Sequence, residues 1–143
     1  MKIEDEFLEL IEELKQNNTM IVVEGKKDDF ALQELGLKNI IELSKKPLFA
    51  VVEQISDSCR ECAILTDLDK KGKELYGKLS SDLQLRGVRI NNKLRNFLFR
   101  KTKIRQIEGI QLEKFLVKLF LSKKNVDRKL FKQAKKGQYI KMR

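Results

Sequence analysis

The sequence has 143 residues, 41% of them hydrophobic and 36% charged, with a formal net charge of +10 and no histidine. That length predicts one domain, and the hydrophobic fraction suffices for a packed core, which argues against a disordered chain. No apolar run approaches the roughly 20 residues of a membrane-spanning helix, and the acidic N-terminus is unlike a secretory signal, so a cytoplasmic protein is expected.

Charge is divided unevenly along the chain. Residues 1–85 carry 12 basic and 18 acidic side chains, a net charge of −6, whereas residues 86–143 carry 19 basic and 3 acidic side chains, a net charge of +16. Such segregation is typical of proteins that bind nucleic acid or another polyanion, although a solvated, lysine-rich surface would give the same composition. The second half of the chain therefore predicts a polyanion-binding surface.

Cys59 and Cys62 form a single Cys-x-x-Cys pair. With no histidine and no second cysteine pair, one chain cannot supply four soft ligands to a zinc ion. Cys62 leads into an apolar run, a position that suits a small buried residue. We interpret both thiols as structural or incidental.

The first predicted elements alternate between helix and strand. Helical spacing of the apolar side chains predicts an amphipathic N-terminal helix within residues 1–19, packed on the domain. A β-branched run at residues 20–23 is typical of an interior strand of a parallel sheet. A helix is expected to open near Asp28 or Asp29 and to close at Gly36.

The alternation continues through the middle of the chain. Because strands and helices follow one another, we expect right-handed crossovers and a mostly parallel sheet of about four strands, with helices on both faces, in a Rossmann-like α/β fold. The predicted elements are a strand at 40–43, a helix at 48–56, a strand at 63–66, a helix at 73–85 and a strand at 87–90.

The last third of the chain is predominantly basic. The pattern predicts a helix near residues 94–101, a short strand at 104–107 and a packed helix through 112–120. The domain would then span residues 20–120, and residues 121–143 would form a basic tail. The candidates for nucleic-acid contact in this part are Arg95, Arg100, Lys101, Lys103 and Arg105.

Two of the predicted strands end in carboxylates. Glu24 follows the first strand, and Asp67 and Asp69 follow the strand at 63–66. Open α/β sheets place ligands at the carboxyl ends of their strands, so these acids are expected to meet at one edge. Two carboxylates so close repel each other unless a cation lies between them, which predicts a site for Mg²⁺ or Mn²⁺. The aspartates could instead only cap the following helix.

The residues around these acids suit phosphate chemistry. Asp67 and Asp69 would hold Mg²⁺, and Glu24 would transfer a proton to or from the reacting hydroxyl, unless it is merely a polar strand end. Gly25 and Gly72 would let the backbone approach a ligand or turn tightly. The lysines that could contact phosphate oxygens, or simply be solvated, are Lys26, Lys70 and Lys71.

Two motifs in this order resemble the Toprim domain, the catalytic module shared by topoisomerases, bacterial-type primases and 5S-rRNA maturation nucleases. They are Val22-Val23-Glu24-Gly25-Lys26 and Leu65-Thr66-Asp67-Leu68-Asp69-Lys70-Lys71-Gly72. The resemblance spans residues 20–110 and looks strongest toward the small stand-alone Toprim proteins of archaea and bacteria. It implies a compact Rossmann-like fold in which Glu24 is the general acid/base and Asp67 and Asp69 bind Mg²⁺.

One departure from the family pattern reduces the number of functions that the resemblance allows. Topoisomerases of this class carry an acid directly after the glycine, where this chain has Lys73. Because the sequence shows neither a domain for a tyrosine nucleophile nor a zinc module, a topoisomerase and a self-sufficient primase are not expected. Two hypotheses stay open: a Mg²⁺-dependent nuclease acting on RNA or DNA, and a non-catalytic nucleic-acid-binding module within a larger RNA-processing, primase or repair complex.

Overall fold

The computed structural model describes residues 2–109 of the chain. Helices and strands alternate along this range and end in a short 3₁₀ helix. In chain order the elements are α1 (Ile3–Gln16), β1 (Met20–Val23), α2 (Lys26–Gln33), β2 (Ile40–Glu42), α3 (Leu48–Ser58), β3 (Glu61–Ile64), α4 (Lys70–Leu85), β4 (Arg89–Ile90), α5 (Lys93–Lys101) and the 3₁₀ helix (Ile107–Gly109).

The four strands form one all-parallel sheet in the order β2-β1-β3-β4. In the centre, Val22 of β1 lies opposite Ile41 of β2 on one side and Ile64 of β3 on the other. The chain leaves β1 toward β2 and then crosses back to β3, so the order reverses between β1 and β3. The predicted α/β fold is confirmed, and the point of reversal is where such sheets form a crevice.

Both faces of the sheet are covered by helices, as the sequence predicts. Ile21 and Val23 point into the core beneath α1, α2 and α5, whereas Val22 points into the core beneath α3 and α4. Along β3, Cys62 and Ile64 lie in the second of these cores. All five side chains are at most 1% exposed, which explains why these strands are continuous apolar runs rather than alternating ones.

The N-terminal helix closes one of these cores. Phe7, Ile11 and Leu14 of α1 are buried in it, and each such side chain contributes about 1.5–3 kcal/mol relative to an exposed position. The helix ends at Gln16 with Asn17 as its C-cap, and Asn18 adopts the left-handed conformation with φ of 48°. The amphipathic helix predicted within residues 1–19 is confirmed. No helix within residues 2–109 is long and apolar enough to cross a membrane.

The structure differs from the sequence prediction after α5. The predicted strand at 104–107 is wrong, because residues 102–105 have no regular secondary structure and Ile107 begins the 3₁₀ helix. The backbone carbonyl of Arg105 instead accepts a hydrogen bond from the Leu68 N–H. This segment therefore crosses the end of the sheet, where the loop after β3 holds it. The helix predicted at 112–120 and the basic tail at 121–143 lie outside the described residues.

Candidate carboxylate site

Glu24 connects the ends of the two central strands. It is the first residue after β1, and its Oε2 atom accepts a hydrogen bond of 2.8 Å from the backbone N–H of Asp67, just beyond β3. The two strands pair in parallel, so their carboxyl ends emerge side by side. The structure thus places Glu24 facing the aspartate loop, at the reversal point of the sheet.

Asp67 is tied to the segment that crosses the sheet end. Its Oδ1 atom accepts a hydrogen bond of 2.8 Å from the backbone N–H of Ile107, forty residues later in the chain. The carboxyl group is half-buried. Three separate parts of the chain therefore meet at Asp67: the end of β1, the end of β3 and the 3₁₀ helix.

Asp69 is the N-cap of α4. Its Oδ1 atom accepts a hydrogen bond of 2.8 Å from the backbone N–H of Gly72, and its side chain is exposed. The cap explains why α4 begins at Lys70, three residues before the predicted start. The capping hydrogen bond uses one carboxylate oxygen of Asp69, and the other oxygen accepts no hydrogen bond from the described part of the chain.

Asp28 also belongs to this edge, although the sequence suggested only a helix-opening acid. Its side chain is 6% exposed, and its Oδ2 atom accepts a hydrogen bond of 3.1 Å from the Gly25 N–H. The pKa of Asp28 is raised from 3.8 to about 6, chiefly by burial and also by the negative charges of Asp67, Glu24 and Glu108, whereas that hydrogen bond acts to lower it. We call Glu24, Asp28, Asp67, Asp69 and Glu108 the carboxylate site.

The interpretation of Arg95 as a nucleic-acid contact is wrong. Its side chain is 7% exposed, and its guanidinium donates to the carbonyls of Thr66 at 2.6 Å, Asp67 at 3.3 Å and Ile64 at 3.4 Å. Its Cζ atom lies 4.4 Å from the ring centroid of Tyr76. Burial lowers the pKa of Arg95, whereas Tyr76 and the nearby carboxyl groups raise it. Its donors are therefore used inside the protein, on the loop that carries Asp67.

Gly72 is required by the same loop. The Oγ1 atom of buried Thr66 donates a 2.7 Å hydrogen bond to the Gly72 carbonyl, and any Cβ atom at Gly72 would overlap the backbone of Asp67. Gly25 differs, since a Cβ atom there would meet no heavy atom within 4 Å. The close approach that the sequence predicts at Gly72 is made by the protein's own backbone.

The predicted phosphate-binding lysines lie on the surface around the acids. Lys26 is in the first turn of α2, next to Glu24 in sequence, and Lys70 and Lys71 open α4 directly after Asp69; all three are exposed. Their placement at two helix N-termini is compatible with contacts to an anion at this edge.

The other predicted basic contacts are used in different ways. Lys101 forms an ion pair with Glu6 of α1, and Arg105 donates to backbone carbonyls of its own segment. Arg100 and Lys103 are exposed. Part of the positive charge of the second half thus balances the acidic first helix.

The cysteines are consistent with their structural interpretation. Cys62 is completely buried in β3, and burial raises the pKa of its thiol to about 12. Burial also raises the pKa of Cys59. Neither thiol is therefore activated as a thiolate at neutral pH.

The carboxylate oxygens at this edge are candidate ligands for Mg²⁺. Glu24, Asp67 and Asp69 each have one carboxylate oxygen bound to a backbone N–H and a second that accepts no hydrogen bond within residues 2–109. No three acidic or cysteine side chains in that range close into a metal-ligand set. Mg²⁺ usually takes one or two carboxylates and keeps several waters, so the free oxygens fit an ion held largely through water. The metal remains a prediction.

The chain is similar to UPF0292 proteins of several organisms. It is 42% identical over 106 residues to the UPF0292 protein of Thermococcus gammatolerans, an alignment that covers 73% of this chain and 78% of that protein. Identity with the Methanocaldococcus jannaschii protein is 32% over 112 residues, 74% of this chain and 88% of the relative. A solved structure from Aquifex aeolicus matches with a TM-score of 0.66 and 36% identity, covering 71% of this chain and 95% of that one. No protein-family profile matches the sequence.

Proposed function

The chain belongs to the UPF0292 family, and we propose that it is a Mg²⁺-dependent nucleic-acid phosphodiester enzyme, specifically a nuclease with a Toprim-type site. The observation that carries this proposal is the hydrogen bond of 2.8 Å between Glu24 Oε2 and the Asp67 N–H. It joins the proton-transfer candidate to the metal-binding loop at the place where open α/β sheets bind ligands.

The electrostatics of the edge support a cation there. Asp28 has a pKa raised to about 6, for which burial is the main cause and the charges of Asp67, Glu24 and Glu108 are further causes. A group whose pKa is raised by neighbouring carboxylates reports an excess of negative charge. A bound divalent ion would reduce that excess and give the free oxygens of Asp67 and Asp69 a partner.

Each residue then has a definite part in the reaction. Mg²⁺, when bound, would neutralise negative charge on the phosphate in the transition state. Oε2 of Glu24 is fixed by the Asp67 N–H, and Oε1 accepts no hydrogen bond from residues 2–109, so the carboxyl group is oriented to accept or return a proton. Asp67 and Asp69 are the residues that would hold the ion. Arg95 keeps the Asp67 backbone in place through its carbonyl.

The substrate is proposed to be RNA or DNA because cations surround the acids. Lys26, Lys70 and Lys71 are exposed beside the carboxylate site, and the whole chain carries a net charge of +10. Lysine ammonium groups bind phosphate oxygens as point charges. If phosphate contacts dominate, the logarithm of the affinity for duplex DNA falls with the logarithm of the salt concentration at a slope of about −0.9 per neutralised phosphate.

The proposal is tested by cleavage with matched variants. The full chain with Mg²⁺ should cut at least one substrate among structured RNAs and nicked duplex DNAs. Asp67→Asn should abolish cutting and leave binding nearly unchanged, because it removes a metal ligand and no phosphate contact. Asp82→Asn is the matched control, since it makes the same chemical change far along α4, and it should cut like the wild type. Equal cutting by Asp67→Asn, or no cutting of any substrate by the wild type, contradicts the proposal.

A second candidate is a nucleic-acid-binding module without catalysis. It is favoured by the observation that each predicted ligand already binds a backbone N–H, with no three-ligand set among the residues described. In that case the acids would serve the fold alone. Binding that is insensitive to Mg²⁺, with no cleavage of any substrate, distinguishes the module from the enzyme.

A further inference from the structure

Phe99 of α5 is an aromatic side chain that remains 45% exposed. The Lys73 Nζ atom lies 5.1 Å from the centroid of its ring, and the Arg105 Cζ atom lies 5.2 Å from it. The three residues come from α4, α5 and the segment after α5. An exposed ring with two cations beside it has the composition of surfaces that stack nucleic-acid bases and bind the adjacent phosphates.

The backbones that carry both cations are hydrogen-bonded to the aspartate loop. The Lys73 N–H donates a 2.9 Å hydrogen bond to the Asp69 carbonyl, and the Arg105 carbonyl accepts one from the N–H of Leu68, between the two aspartates. The ring and its cations therefore lie next to the carboxylate site. A nucleotide bound there would be a neighbour of any phosphate at the acids.

The two cations differ in how firmly they are held. The Arg105 guanidinium donates to the carbonyls of Thr102 at 3.0 Å and Ile104 at 2.9 Å, which fixes its position. The Lys73 ammonium is exposed, and its contact within the described range is with the ring of Phe99. An incoming base could thus displace Lys73 from the ring, and the freed ammonium could then bind a phosphate.

We propose that Phe99, Lys73 and Arg105, here named the Phe99 platform, bind one unpaired nucleotide of a single-stranded nucleic acid. The base stacks on Phe99, Lys73 contacts a phosphate, and Arg105 keeps the ring and the aspartate loop together. This rests on the proposed function and defines its substrate as single-stranded at this position. Stacking is tolerant of sequence because every base has an aromatic face, and paired bases in a duplex do not expose that face.

Binding of labelled oligonucleotides to the full chain in EDTA, measured by fluorescence anisotropy, tests the platform. Phe99→Ala should weaken binding of single-stranded DNA and RNA oligonucleotides by about tenfold, and leave duplex binding unchanged. Lys73→Gln should lower the salt slope for single strands by about one. Leu85→Ala is the control: it removes an apolar side chain that is 84% exposed, on the same helix and about 18 Å from Lys73 along its axis.

Phe99→Leu separates stacking from folding, since it keeps apolar volume and removes the ring. Like Phe99→Ala, this variant should bind single strands more weakly than the wild type does. A loss of affinity for RNA alone or for DNA alone still supports the platform, and it shows which of the two nucleic acids the platform binds. Wild-type affinity in both Phe99 variants overturns it. The binding assay contains no metal and is therefore independent of cleavage. Binding by the platform in EDTA, together with no cleavage in the separate assay with Mg²⁺, would refute only the nuclease. Cleavage that depends on Asp67, with unaffected Phe99 variants, would refute only the platform.

Discussion

The two turns that supply the carboxylate site resemble each other in sequence but differ in packing. The β1–α2 turn (residues 24–28) and the β3–α4 turn (residues 65–72) each follow a buried parallel strand and combine an acid, a glycine and lysines. In the β3–α4 turn, Gly72 packs directly against the backbone of Asp67 and Arg95 binds the loop carbonyls. In the β1–α2 turn, the space around Gly25 is open.

Because the two turns differ in how tightly they are packed, we expect them to have different roles. The β3–α4 turn is held so tightly that it can fix the positions of Asp67 and Asp69 before any ligand arrives, which is the preorganisation that electrostatic catalysis requires. The β1–α2 turn leaves space beside Gly25 and Lys26 at the start of a helix, where backbone N–H groups favour anions. Within the proposed function, a phosphate would approach from the β1 side.

Alanine substitutions at Gly72 and Gly25 should differ most in their effect on the free energy of unfolding. Gly72→Ala should destabilise the protein by about 4 kcal/mol, because the new methyl group overlaps the Asp67 backbone and the loop must move. Gly25→Ala should change stability by less than about 1 kcal/mol, since its backbone is extended with φ of −154° and its surroundings are open. Urea unfolding of both variants measures the difference.

The outcome also separates stability from ligand binding. If Gly25 lies on the phosphate path, Gly25→Ala should weaken nucleic-acid binding while the protein stays folded. Similar unfolding midpoints for the two variants would show that the β3–α4 turn is not the tighter one.

Removing the guanidinium of Arg95, which binds the carbonyls of the β3–α4 turn, should have the next largest effect on the free energy of unfolding. Arg95→Met removes the guanidinium donor from two buried carbonyls and one partly buried carbonyl and should cost about 3 kcal/mol. Arg89→Met is the matched control, because its ion pair of 3.2 Å with Glu61 is on the surface and should contribute less than about 1 kcal/mol. Arg95→Lys should fall between them, since one ammonium cannot reproduce the planar fork. Equal losses in Arg95→Met and Arg89→Met would contradict the assigned role.

Much of the fold could be predicted because its determinants are local. The β-branched run through Val22 and the apolar run through Ile64 specify buried strands by their composition alone. Asn18 and Gly36 mark helix ends through their positive φ angles of 48° and 92°. Once strands and helices alternate, a parallel sheet follows, and the acids after β1 and β3 must share an edge.

What could not be predicted depends on contacts between distant parts of the chain. Arg95 lies on a helix with other basic residues, and nothing near it in sequence shows that it points at carbonyls about thirty positions earlier. Asp28 is buried on α2, and the 3₁₀ helix that packs on α2 comes from far along the chain and is tied to Asp67 by the Ile107 N–H. A four-residue segment such as 104–107, which is apolar only at its two ends, is too short for its periodicity to separate a strand from an extended crossing.

Substitution of Asp28 should have the smallest effect on stability, and that effect should depend on pH. Because the folded-state pKa of Asp28 is about 6, above the ordinary 3.8, the folded protein keeps a proton that the unfolded chain has already released. Stability should therefore fall as pH rises from about 4 to about 6 and stay level above that window. Asp28→Asn should remove this dependence and be more stable than wild type at pH 7 by about 1–2 kcal/mol, since its amide oxygen can still accept from the Gly25 N–H. Asp29→Asn, one position later in α2, should keep the wild-type profile. Urea midpoints measured between pH 4 and 8 decide the matter, and a profile unchanged by Asp28→Asn would mean that this carboxyl is not held protonated by its burial among the other acids.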